Sequence, residues 1–141
     1  MVDDLFNLKG RVSIELNGQI VQEIDNLVVT AGKVFVASRM KDATATAMSH
    51  MAVGTNATAA AVANTALGAE SARVALTSTT ASSATVIYVA TFPAGTGTAA
   101  LTEAGILNAS SGGTMLCRTV FTAINKGSAD AMTVTWTITV S

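Results

Sequence analysis

The sequence predicts a mainly β protein, a jelly-roll-like two-sheet β-sandwich with one short helix, and three observations carry that expectation. Short runs alternate apolar with polar residues and are separated by Gly, Asn, Ser and Asp turn signals at sandwich-like spacing. Only one segment has the length and end signals of a helix. No βαβ alternation occurs, so a parallel sheet is not expected.

Residues 1–10 mix acid with Phe6, end at Gly10, and read as an N-terminal arm; residues 11–141 read as one β-sandwich domain. The clearest local signal follows. Residues 11–16 alternate strictly, with Val12, Ile14 and Leu16 on one face. Asn17 and Gly18 suit the positive φ angles of a type I′ turn, so residues 19–24 return as the second strand of a hairpin. Ile20 and Val21 break the alternation there.

Thr30 is placed to cap a helix over residues 31–41. Val34, Ala37 and Met40 fall three apart, and Arg39 and Lys41 suit the negative end of its dipole. Gly32 and the Val-Phe-Val of 34–36 oppose it. Residues 48–54 then read as a strand and 57–66 as an Ala- and Thr-rich surface loop. A short helical turn is expected over 66–70, then a strand over 72–77 and a loop over 78–84. Residues 85–92 form a strand with Val86, Tyr88, Ala90 and Phe92 facing one way, closed by Pro93. Strands over 99–107 and 115–124 follow, and a turn over 126–130 leads to the last one. That strand sends Val134, Trp136, Ile138 and Val140 inward and Thr133, Thr135, Thr137 and Thr139 outward. Roughly eight strands result.

The chain has 141 residues, enough for one domain with one core, and half of it is apolar. Charged residues make up 12%, against about 25% in ordinary globular chains. With a net charge of −1, that deficit predicts a surface largely covered by other protein. A twofold homodimer is the expected self-association, a trimer the alternative. The basic residues are scattered singly, so no nucleic-acid partner is expected. No apolar run approaches the ~18 residues of a membrane span. The acidic start lacks the form of an export signal, and the lone Cys117 excludes an intrachain disulfide. Synthesis in a reducing cytoplasm is the expectation.

No constellation of catalytic, cofactor-binding or metal-binding residues emerges, so the chain is not expected to be an enzyme. His50 could take Asp42 or Cys117 as a partner, but no framed nucleophile accompanies it. Gly95 and Gly97 lack the third glycine of a dinucleotide fingerprint, and residues 111–114 lack the lysine of a phosphate loop. Glu70 and Glu103 are too isolated to form a glycosidase pair. They are instead expected, with Arg73 and Arg118, to form structural ion pairs inside the fold or across a subunit contact. The uncharged row Thr133, Thr135, Thr137, Thr139 would invite pairing if it lay at a sheet edge. It is the first candidate for an interface with other protein, with Phe6 as the anchor of the arm.

The residues 51–55, 65–70 with Arg73 and Val74, 101–108, 113–118 with Phe121, and the final strand together resemble small structural proteins of tailed bacteriophages. The likeness spans about residues 26–141 and is closest to the capsid cement, or decoration, proteins. That resemblance implies a jelly-roll dimer on the virion, at the outside of an icosahedral shell, clamping neighbouring major capsid subunits. Related patterns in tail-fibre and receptor-binding proteins imply the alternative, a host-recognition module. The 57–66, 78–84 and 94–99 loops, rich in Ala, Thr, Ser and Gly, lack the aromatic tips expected of a receptor binder.

Overall fold

A computed structural model describes residues 7–41 and 45–141. Among them ten strands form two five-stranded antiparallel sheets packed face to face. The first strands, β1 (Leu8–Leu16) and β2 (Gln19–Asp25), make the expected hairpin. Asn17 and Gly18 take φ angles of 52° and 83°, as a type I′ turn requires. The break at Ile20 and Val21 is a bulge, visible as a register shift between Ile14 and Glu15. Leu8, Lys9 and Gly10, read from sequence as part of an arm, already belong to β1; Phe6 lies outside the described residues.

After β3 (Leu27–Val28) comes the helix α1 (Thr30–Lys41), with Arg39 and Lys41 in its last turn. It docks by a different face from the one expected. Val34 and Met40 are 64% and 83% exposed, whereas Phe35 and Val36 reach the core. Gly32, which opposes a helix on propensity, is buried with its backbone directly against that of Leu116 in the sheet. A Cβ there would lie 2.1 Å from the Leu116 carbonyl oxygen. Gly32→Ala should therefore lower stability by roughly 1–3 kcal/mol, although Ala is ordinarily favoured over Gly inside a helix by about 1 kcal/mol. Thermal melting against an exposed-site control, Lys33→Ala, checks the sign.

The remaining strands are β4 (His50–Gly54), β5 (Glu70–Ala75), β6 (Ser78–Ser82), β7 (Thr85–Phe92), β8 (Ala99–Leu107), β9 (Met115–Lys126) and β10 (Met132–Val140). One sheet has the order β2-β1-β10-β7-β6, the other β3-β9-β8-β4-β5. The chain crosses between sheets after β2, β5, β7 and β9, and its first strand pairs along its whole length with its last. First and last strands thus lie side by side within one sheet, and the two sheets make the β-sandwich that the sequence predicts. Two sequence expectations change. Residues 78–82 form the edge strand β6 rather than a loop, because their backbone is drawn to β7 although no side chain there is buried. Residues 66–69 form no helical turn, because two of their amides are bound elsewhere, as described below.

The two sheets differ in what covers them. Between them lies the main core, with Val12, Ile14, Phe92, Met132 and Trp136 from one side and Met51, Leu101 and Ile106 from the other, all fully buried. The β3–β5 sheet is also covered outside. There the loop over residues 55–69 brings Leu67, and the start of α1 brings Ala31, onto a second cluster with Ala52, Leu107 and Met115. Buried on both faces, its strands read as continuous apolar runs such as those in β4 and β8. The β1–β10 sheet keeps an open outer face, so β10 alternates buried and half-exposed residues almost without fault.

Candidate functional site

The charged residues in the middle of the chain converge on the covered face. Glu103 projects from β8 and is completely buried. Its carboxylate accepts hydrogen bonds from the backbone amides of Asn56 (3.0 Å), Gly68 (2.8 Å) and Ala69 (2.8 Å). Arg118, on β9, donates through Nε to the same carboxylate at 3.1 Å and through Nη1 to Asn64 Oδ1 at 3.1 Å. Glu103 and Arg118 thus hold both ends and the middle of the 55–69 loop against the sheet. Burial pushes the Glu103 carboxyl up, but the three amides and Arg118 together outweigh it, and its pKa lies below the usual value.

A second pair clamps the neighbouring loop. Arg73 on β5 binds Glu70 through two nitrogens, at 3.0 and 2.7 Å. Its Nη1 also donates to the carbonyls of Ala109 and Gly112, at 2.8 and 2.9 Å, tying down the turn between β8 and β9. The four residues expected from sequence to pair are brought together as Glu70 with Arg73 and Glu103 with Arg118, within one sheet.

Two groups with the same kind of role carry no readable signal in the sequence. Lys126, expected in a turn, ends β9 and is 2% exposed; its Nζ donates to the carbonyls of Pro93 and Asp130. Asn64 lies in a low-complexity stretch, and only the folded loop brings its side chain to Arg118. The turn over residues 127–131 is further joined to the first hairpin by Asn17, which donates to Asp130 at 2.9 Å and accepts from the Ala131 amide at 3.0 Å.

The candidate reactive groups lie apart from any such cluster. His50 Nδ1 is 2.8 Å from Ser49 Oγ, and Asp42 lies outside the described residues. Cys117 is fully buried, and burial pushes its thiol pKa up, away from the reactive thiolate. Among the described residues, no three His, Cys, Asp or Glu side chains come together as metal ligands. A groove of about 420 Å³ lies between α1 and residues 26–28, lined by Leu8, Leu27, Lys33, Val36 and Met40 among others.

The threonine row lies on the open sheet. Thr133, Thr135, Thr137 and Thr139 are half-exposed, but β10 is a central strand, paired with β1 on one side and β7 on the other. The condition for edge pairing is therefore not met: the strand's backbone is fully engaged, and only its side chains face outward. Across β7 the row continues as Thr85, Ile87, Val89 and Thr91, and across β6 as Ser78, Thr80 and Ser82. On the other side it meets Lys9, Arg11 and Glu15 of β1. Half of this outer face is thus a neutral, hydroxyl-bearing sheet, and the charges sit in the other half.

These features define a class: a β-sandwich whose interior charges fasten loops and whose one uncovered sheet is largely neutral. Comparison with protein-family models, with curated proteins and with solved structures returns no match.

Proposed function

We propose that this chain is a non-enzymatic structural protein of a tailed-phage virion, binding the outside of the capsid and clamping neighbouring major capsid subunits. One observation carries the reading: the broad uncharged half of the open sheet, from the Thr133–Thr139 row across β7 to β6. A neutral, β-branched surface is suited to being covered by protein, since desolvating hydroxyls costs far less than desolvating charges. The anchored loops support the same role. A clip that resists the opening of a seam needs well-held contact surfaces, and Glu103, Arg118 and Arg73 tie the loops over 55–69 and 108–114 to the sheet.

Docking would use this face, with Phe6 and the residues ahead of Asn7 reaching the shell. Co-sedimentation with purified capsids and with detached tails tests the proposal. Binding to capsids, reduced by Thr135→Lys and Thr137→Lys together, is the expected result. Binding to tails alone would overturn it in favour of the receptor-binding alternative, and binding to neither would overturn both. Removal of residues 1–6, which leaves β1 whole, should weaken capsid binding without lowering the melting temperature.

A further inference from the structure

A sandwich of two open sheets has four edges, and three of them here are guarded against pairing with another chain. The β2 edge carries Glu23 and Asp25 and a bulge. The β5 edge carries Glu70 and Arg73 and a register shift beside Gly54. The β3 edge is only two residues long and runs directly into α1. Charges, bulges and brevity are the ordinary devices that keep sheet edges from associating. The fourth edge, β6, has none of them. All five of its residues are exposed, it contains neither charge nor proline, and among the described residues it pairs only with β7.

The sequence around this edge suits a copy of itself. No Asp, Glu, Lys, Arg or His occurs from Val74 to Thr102. In a twofold contact every charge near the axis meets its own like charge, so only a neutral edge is free of that repulsion. The strand Ser78-Thr79-Thr80-Ala81-Ser82 is also close to self-complementary when run antiparallel to itself. Centred on Thr80, it places Ser78 opposite Ser82, Thr79 opposite Ala81, and Thr80 opposite Thr80. Hydroxyl pairs of this kind favour cross-strand contact.

We infer that two copies of this chain pair through their β6 edges, antiparallel about a twofold axis at Thr80, so that the two open sheets become one continuous sheet. The outer faces then join into a single neutral surface twice as wide. This contact differs from a stacking of the Thr133–Thr139 face, which it leaves uncovered. It does not rest on the capsid reading and is decided with the isolated chain. Five paired residues on each side bury less than the about 1,200–2,000 Å² of a standard interface, so the dimer is a reversible one.

Sedimentation velocity over a concentration series reaching about 100 μM provides the test, since a small interface implies micromolar affinity. The unaltered chain should shift from monomer towards dimer. Thr80→Lys and Thr80→Glu should each weaken dimerisation on the order of tenfold, by placing like charges opposite each other. Both variants should retain the parent's circular dichroism, because Thr80 is exposed. An equimolar mixture of the two should dimerise again, since Lys then faces Glu. A wild-type chain that stays monomeric throughout would overturn the inference. So would a dimer that Thr80→Lys leaves unchanged, or single-charge variants that do not recover on mixing.

Discussion

Glu103→Ala should destabilise the protein by about 3–5 kcal/mol, the usual result of removing one partner of a buried ion pair. The Arg118 side chain is 3% exposed and would be left with an uncompensated charge. The amides of Asn56, Gly68 and Ala69 would lose their acceptor at the same time. Urea denaturation measures the global effect, and amide exchange reads the local one. Replacing both partners, Glu103→Leu with Arg118→Met, should recover much of the global stability, because an apolar pair of similar size is not penalised for buried charge. Rapid exchange at Gly68 and Ala69 should nevertheless persist, since leucine offers no acceptor. If the double variant protected those amides as well as the parent does, the carboxylate would not be what fastens the loop.

The same site sets a pH dependence. The folded-state pKa of Glu103 is lowered, so its contribution is complete above the unfolded-state value of about 4.3. As pH falls through the lower folded-state value the contribution is lost. Stability of the parent should therefore decline on acidification below about pH 4 more steeply than that of the double variant.

Trp136→Ala should cost about 3–5 kcal/mol, lowering the melting temperature by roughly 10 °C. Trp136 is completely buried at the centre of its sheet, with Val12 beside it on β1 and Tyr88 beside it on β7. Its indole nitrogen has no hydrogen-bond partner among the described residues. Trp136→Phe should consequently be much milder, because it keeps most of the ring volume and removes an unsatisfied donor. As the only tryptophan, it also reports on itself. Native fluorescence should be strongly blue-shifted and should move to the red on unfolding. Emission typical of a water-exposed indole in the native protein would contradict the inward register of β10.

What the sequence determined by itself was local. The first hairpin followed from strict alternation and an Asn-Gly turn. The inward places of Val134, Trp136 and Ile138 on β10 followed from a period of two, which survives because that sheet is covered on one face only; Val140, expected with them, is half-exposed at the strand's end. That Glu70, Arg73, Glu103 and Arg118 would form ion pairs was also legible, since isolated charges in strand-rich sequence must find company or remain solvated; which one meets which, and that they meet within one sheet, came from the fold. Tertiary structure decided the rest. Nothing local distinguishes residues 78–82 from a loop; they are a strand because β7 offers them a backbone to pair with. Nothing local places β10 in the middle of its sheet, since strand order depends on contacts between distant parts of the chain. The helix was legible from its end signals, but its docking face was not. Gly32 is poor for an isolated helix and required by this one, because only a residue without a side chain lets the helix backbone meet the Leu116 carbonyl. The loop over residues 55–69 is fixed in the same way: its amides and Asn64 are held by Glu103 and Arg118, residues 34 to 54 positions further along the chain, which only folding brings beneath it.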